Sequence, residues 1–268
     1  MFFNTSMKKF NYILIISVFF SLNLAYGQAD TIRLKDKRLL TSVLKPGLKQ
    51  YLIYFQTAKA QKTLRFWYWL RDIKTENRNG EKVFTIAQHW YGSDTNSYRK
   101  VYSINRAVDF APVYHSETVQ NKTSAYNWNS DKITGADSVA DNSKKDFSLA
   151  FTAPNFNWNL DIETFEMLPM AAGKTFAINF YDAGLDPPKY ILYKVTGSEV
   201  IPTLSNEKVD CWKLVTEGDY SGGHFSQTFW ISKKDHEFLK EEDAFGGGYR
   251  YKLKMMSAAT DLLPRFAK

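Results

Sequence analysis

The chain has 268 residues, a formal net charge of +7 and 44% hydrophobic residues. Its lysines and arginines are dispersed among acidic residues, which is typical of a solvated surface and argues against a nucleic-acid partner. Cys211 is the only cysteine, so a disulfide within the chain is excluded. Because Cys211 stands beside Trp212 in an apolar segment, we expect a buried thiol rather than a reactive one.

The first 27 residues have the pattern of a secretory signal peptide. Lys8 and Lys9 precede a short apolar stretch at residues 10–24, and small residues at positions 25 and 27 suit signal peptidase. Residues 28–268 would then form the mature protein, in the periplasm of a Gram-negative bacterium or the outer cell envelope. No second long apolar run follows, so we predict no transmembrane segment in the mature chain.

The rest of the chain is patterned as short strands separated by turn residues. Tyr249, Tyr251 and Leu253 alternate with Arg250 and Lys252, which predicts a strand with its aromatic face buried and its basic face in water. The other predicted strands are residues 50–57, 63–73, 82–91, 97–105, 176–180, 189–196, 209–217, 224–232 and 237–242.

Three segments depart from simple alternation. Residues 64–70 are apolar on both faces of a strand, so they should be covered on both sides or line a cavity. The pattern of residues 158–167 predicts a helix, and Pro169 would end it. Residues 122–145 are polar without sustained periodicity and are interpreted as an excursion.

Together these patterns predict an all-β protein with one large, curved antiparallel sheet of half-barrel form and one short helix packed on its concave side. A single domain over residues 28–268 is the main interpretation. The alternative is a pair of similar halves, 28–121 and 146–268, joined by the excursion 122–145.

Residues with potential chemistry are few. His224 and His236 on neighbouring predicted strands are candidates for a hydrolase site with an acidic neighbour, but surface positions are favoured. The residues 218–223 favour a hairpin turn over a catalytic serine motif. Asp161, Glu163 and Glu166 are interpreted as helix-dipole partners on a solvated face. We predict no cofactor, no metal site and no enzymatic activity.

The C-terminal hundred or so residues resemble an exported bacterial family, domain of unknown function 3108. Three blocks carry the resemblance: Leu168-Pro169 with residues 173–176, residues 211–214, and residues 228–232 followed by 236–240. The resemblance implies a curved antiparallel sheet similar to the half-barrels of periplasmic lipoprotein carriers. It supplies no catalytic residues.

The leading functional hypothesis is non-enzymatic binding of a hydrophobic ligand, a lipid or a lipoprotein acyl chain, on the concave face. Aromatic residues make up 16% of the chain, and some of them can line an apolar site. An interaction or scaffold module that binds envelope proteins is the alternative, and a hydrolase is the third hypothesis. The candidate ligand-lining residues are Phe66, Tyr68, Phe176, Phe180, Trp212 and Phe229.

Overall fold

The computed structural model describes residues 29–57, 65–203, 205 and 207–256, so the predicted signal peptide lies outside the described residues. The first eight strands are β1 (Asp30–Ile32), β2 (Gly47–Thr57), β3 (Phe66–Arg78), β4 (Glu81–Tyr91), β5 (Arg99–Arg106), β6 (Pro112–Val119), β7 (Lys122–Trp128) and β8 (Lys132–Gly135). The remaining eight are β9 (Ser148–Ala150), β10 (Phe156–Asn157), β11 (Thr175–Tyr181), β12 (Lys189–Pro202), β13 (Lys208–Tyr220), β14 (Gly223–Ser232), β15 (Phe238–Phe245) and β16 (Gly248–Lys254).

These strands form one sheet that does not close on itself. Its order is β1-β11-β12-β13-β14-β15-β16-β2-β3-β4-β5-β6-β7-β8-β9, and β10 also pairs with β11. Only β1 and β10 run parallel to their partner; the other pairs are antiparallel. The prediction of a large, mostly antiparallel sheet is confirmed. The segment 122–145, interpreted as an excursion, instead contains β7 and β8, which extend the sheet beyond β6.

The short helix α1 (Asp161–Glu166) follows a 3-10 turn, Trp158–Leu160, which agrees with the predicted helix at 158–167. Asn157 caps the turn by accepting a hydrogen bond from the Asn159 amide. Among the described residues α1 is the only α-helix, and it is not long and apolar enough to cross a membrane.

The helix packs inside the curve of the sheet. Phe165 contacts Phe180 of β11, Tyr193 of β12 and Phe229 of β14, with ring centroids 4.7–6.1 Å apart. On the other side of the helix, β2 and β3 reach it through charged side chains. Because strands far apart in the sheet meet one helix, the sheet is curved and α1 lies on its concave face, as predicted.

The inner face of β16 is the reverse of the prediction. Lys252 is only 4% exposed, whereas Tyr249 is 49% exposed. The alternation was recognised correctly, but the basic residues face inward because Glu241 and Asp243 of β15 pair with them across the strand. Period-two alternation identifies a strand without identifying its buried face.

Gly135 of β8 is required by a close backbone approach. A Cβ atom there would lie 2.0 Å from the carbonyl oxygen of Lys144 and 2.4 Å from that of Lys145. Gly135→Ala should therefore lower the free energy of unfolding by about 2–3 kcal/mol, measured by urea denaturation. Lys132→Ala, an exposed position on the same strand, should stay within about 0.5 kcal/mol of wild type. Equal stabilities of the two variants would contradict the close approach.

Candidate functional site

A set of charged side chains, all of them buried except Arg250, lies on α1 and on four strands of the sheet, and we call it the charge belt. It consists of Lys49, Arg71, Glu163, Glu166, Glu241, Asp243, Arg250 and Lys252. Arg71 Nε donates to Glu163 Oε1 at 2.8 Å, and Lys49 Nζ donates to Glu166 Oε2 at 2.6 Å. These two pairs fix the helix to β3 and β2. The interpretation of Glu163 and Glu166 as residues of a solvated face is wrong, since they are 0% and 2% exposed.

The second part of the charge belt lies on β15 and β16. Glu241 Oε2 forms an ion pair with Lys252 Nζ at 2.5 Å, and Glu241 Oε1 accepts a hydrogen bond from an Arg250 terminal nitrogen at 3.0 Å. Arg250 Nε also donates to Asp243 at 2.5 Å. Burial raises the pKa of Glu241, and the neighbouring Lys252 opposes that rise. The paired cations therefore hold these carboxylates within an otherwise apolar interior.

Polar residues also surround the turn before α1. Gln88 donates to the Asn159 carbonyl at 2.9 Å, and Arg99 donates to the Asn159 side chain at 2.8 Å. Asn159 in turn donates to Asp182 at 3.0 Å. Burial raises the pKa of Asp182, with the Arg99 charge acting against it. This network fixes the position of the turn, and therefore of Trp158, relative to the sheet.

The sheet splits between β12 and β13. The two strands pair from Pro202 opposite Lys208 up to Lys194 opposite Val215, and the ladder stops there. Residues 189–193 of β12 continue to pair with β11, and residues 216–220 of β13 continue to pair with β14. Within the described part of the chain, two strand edges therefore face each other without pairing.

A cavity opens at this split, and we call it the entrance cleft. Its volume is about 850 Å³, within the ~300–1,000 Å³ typical of small-molecule sites. Ring side chains form much of its wall: Phe55, Trp158, Phe180, Phe225 and Phe245. The rim carries apolar side chains of β12, β13 and the preceding loop: Leu185, Tyr190, Leu192 and Tyr220.

Polar groups occupy one part of the entrance cleft. Gln227, Asp243 and Arg250 are neighbours on the inner faces of β14, β15 and β16, and Gln227 Nε2 donates to Asp243 at 3.2 Å. The Arg250 side chain remains 31% exposed although it pairs with two carboxylates. The cleft is thus amphipathic, with aromatic walls and one end of the charge belt within reach of a ligand.

The chain matches a known protein family over most of its length. The model of a protein family of unknown function, DUF3108, matches residues 50–254. The chain belongs to the DUF3108 family. The match extends well beyond the C-terminal segment that resembled this family in sequence, and no curated protein matches the chain.

Three solved structures are similar to this DUF3108 protein at low identity. A beta-barrel-like DUF1849 protein from Brucella abortus is 10% identical, with a TM-score of 0.49, and the alignment covers 79% of this chain and 98% of that one. The lipoprotein LppX from Mycobacterium tuberculosis is 9% identical, with a TM-score of 0.27 and coverage of 85% and 95%. A DUF1329 family protein from Desulfovibrio piger is 9% identical, with a TM-score of 0.28 and coverage of 88% and 97%.

The six candidate lining residues lie in different places of the DUF3108 protein. Phe180 lines the entrance cleft. Phe176 and Phe229 are fully buried in the main core, and Trp212 packs against that core. Phe66 and Tyr68 lie on β3, where they alternate with Trp67 and Trp69. Trp69 belongs to the main core and Trp67 packs against it, so Phe66 and Tyr68 lie on the opposite face of the strand. Ligand contact by all six stays a prediction.

Three residues of the cleft were not predicted as site residues from the sequence: Phe225 and Phe245 of the wall, and the polar residue Arg250. The sequence does contain a signal for Phe225: Phe225, Gln227 and Phe229 are two residues apart along β14 and therefore lie on the same face of the strand.

The segment 64–70 is indeed covered on both faces at its end, because Trp69 and Leu70 are 1% and 2% exposed. The missed charges could not be assigned to the inside, since their carboxylate partners lie on another strand.

The other candidate groups are placed apart from the entrance cleft. His224 pairs with Asp219 at 3.0 Å, whereas His236, at the other end of β14, faces the Glu166 carbonyl at 3.1 Å. No cluster of three potential metal ligands occurs among the described residues. Cys211 is fully buried beside Trp230, as expected, and burial raises its pKa to about 11.

Proposed function

We propose that this DUF3108 protein binds an amphiphilic ligand with a long apolar chain, a lipid or lipoprotein acyl chain, in the entrance cleft and without enzymatic chemistry. The observation that carries the proposal is the split between β12 and β13, which opens an 850 Å³ cleft with aromatic walls. The apolar chain would lie against rings such as Phe55, Phe225 and Phe245, and the polar end of the ligand would face Gln227 and Arg250.

The proposal includes export to the cell envelope, supported by the signal-peptide pattern of residues 1–27. A lipid in a compartment between membranes is insoluble as a monomer, and an apolar cleft removes its chain from water. The buried Arg71–Glu163 and Lys49–Glu166 pairs support the same function because they keep α1 fixed in the concave face beside the cleft.

A change in the cleft wall tests the proposal. Phe245→Asp would place a carboxylate against the ligand chain, so we expect the affinity for a fluorescent long-chain fatty acid to fall by at least about tenfold. The measurement is a fluorescence titration of the mature protein without detergent. Native mass spectrometry of the protein purified from a bacterial periplasm should also find one bound lipid per chain.

Val113→Asp is the matched control, since Val113 is 39% exposed on β6 and does not line the cleft. It should bind the fatty acid as wild type does. Equal affinities for Phe245→Asp and Val113→Asp, or no binding to the wild-type protein, would reject the proposal.

A second candidate function is protein–protein interaction in the envelope. The unpaired edges at residues 189–193 and 216–220 favour it, because free strand edges accept an added strand from a partner. Cross-linking in cells from a photoreactive residue at position 218 tests it. A discrete partner band would support this function, and cross-links to lipid alone would exclude it.

A further inference from the structure

Four of the eleven exposed large apolar side chains that the structure describes lie together at one place. Leu185 is 67% exposed, Leu192 57%, Tyr190 47% and Tyr220 46%, and all four lie on the rim of the entrance cleft. Single exposed apolar residues are normal on a protein surface, but a group around a cavity mouth marks an interaction site. The remaining exposed apolar residues that the structure describes lie outside this rim.

The rim residues are held outward by ordered backbone. The loop between β11 and β12 contains a turn closed by Leu185 N donating to the Asp182 carbonyl at 3.1 Å. Gly184 N donates to the Tyr181 hydroxyl at 3.0 Å, and Pro187 and Pro188 follow before β12 begins. Leu185 therefore projects from a fixed turn, and Leu192 and Tyr220 project from strands.

We propose that this rim docks onto a lipid bilayer surface of zwitterionic headgroups. The inference rests on the proposed function, since a rim in contact with a bilayer lets an acyl chain pass into the cleft without crossing water. Leucine side chains can enter the boundary of the acyl region, and tyrosines favour the headgroup level because they have an apolar ring and a polar hydroxyl.

The charge around the rim selects the kind of bilayer. Asp186 and Glu217 line the cleft mouth and are exposed, and Lys189 is the only exposed cation among the described residues that line it. The exposed charged residues that the structure describes at the cleft mouth are thus two carboxylates and one cation, although the whole chain is basic, at +7. Anionic headgroups would be repelled by these carboxylates at short range, so a zwitterionic surface fits better.

Vesicle co-sedimentation of the mature protein tests the inference. Wild type should bind phosphatidylcholine vesicles and bind less when phosphatidylglycerol is added at low salt. The double variant Leu185→Ser with Leu192→Ser should partition roughly tenfold more weakly, because two apolar side chains no longer enter the bilayer. Val200→Ser is the matched control: Val200 is 58% exposed on the same strand, away from the cleft.

The fatty-acid titration separates this inference from the proposed function. Phe245→Asp should lose affinity for the fluorescent fatty acid in solution and keep wild-type vesicle binding, whereas the double rim variant should lose vesicle binding and Val200→Ser should keep both. Vesicle binding that is equal in wild type and the rim variant, or stronger on anionic vesicles, would overturn the docking inference. Vesicle binding with no fatty-acid binding by wild type would uphold docking and reject the proposed ligand site.

Discussion

Arg71→Met should lower the free energy of unfolding by about 3–5 kcal/mol, because it leaves the Glu163 carboxylate buried without its cation. Both side chains of this pair are 0% exposed. Arg71 also donates to the Asn159 carbonyl at 3.2 Å and lies 4.4 Å from the centroid of the Trp69 ring. Urea denaturation at neutral pH measures the change.

A double variant distinguishes a lost pair from a lost side chain. Arg71→Met combined with Glu163→Met removes both charges, and it should recover most of the lost stability, since an apolar pair of similar volume needs no desolvation of ions. Arg78→Met is the control: Arg78 pairs with Glu76 at 2.9 Å in an exposed position. Its effect should stay below about 1 kcal/mol. A double variant no more stable than Arg71→Met alone would contradict an ion pair as the source of the effect.

The Arg71 pair has a consequence for the entrance cleft. Asn159, which Arg71 and Gln88 hold through its carbonyl, belongs to the turn that carries the wall residue Trp158. Disturbing the pair should therefore alter one wall of the cleft as well as stability. The charge belt and the cleft share Asp243 and Arg250, so they are parts of one concave face.

Ten of the sixteen strands could be predicted from local pattern. Alternation and glycine-containing turns placed β2–β5 and β11–β16, although β3 and β12 end five and six residues beyond their predicted bounds. β1, β6, β9 and β10 were not predicted, and β7 and β8 could not be placed because their Ser-, Thr- and Asn-rich sequence lacks an apolar alternation. They are strands because β6 provides a neighbouring edge, which is a tertiary cause.

The site was less predictable than the fold for two physical reasons. Residues 189–196 were predicted as one strand, and nothing local to them indicates that β13 departs at Lys194. The split depends on how two strands diverge over a curved sheet. The second reason concerns the inward-facing charges of β16. Arg250 and Lys252 acquire buried carboxylate partners only when β15 pairs beside them. Pairing between strands, rather than composition, decides which face is inside.

His115 gives the fold a dependence on acidic pH that can be measured. The ring is 1% exposed on β6, and burial, with the Arg99 charge in addition, lowers its pKa to about 3. Asn157 Nδ2 donates to Nδ1 at 3.0 Å, and Ser103 Oγ lies at the same distance. A proton on Nδ1 would displace the Asn157 contact, because Nδ2 can only donate, and this agrees with a neutral ring in the folded state.

The sign of the effect follows from the two pKa values. In the unfolded chain His115 takes up a proton below its ordinary pKa of 6.5, whereas the folded protein does not until about pH 3. Stability from this residue is therefore complete above pH 6.5 and is lost as pH falls, by about 1.4 kcal/mol per pH unit. Between pH 7.5 and pH 4 the loss should reach about 3 kcal/mol.

His115→Gln removes this titration and keeps a side chain that can accept hydrogen bonds. Urea denaturation at pH 7.5 and pH 4 should find that the variant loses about 3 kcal/mol less than wild type between these pH values, whatever its stability at neutral pH. The carboxylates of the charge belt contribute equally to both proteins and cancel in the comparison. His224→Gln, at an exposed position, should keep the wild-type difference. If His115→Gln and wild type showed the same pH dependence, the His115 ring would take up a proton in the folded protein as it does in the unfolded chain, and the prediction would be wrong.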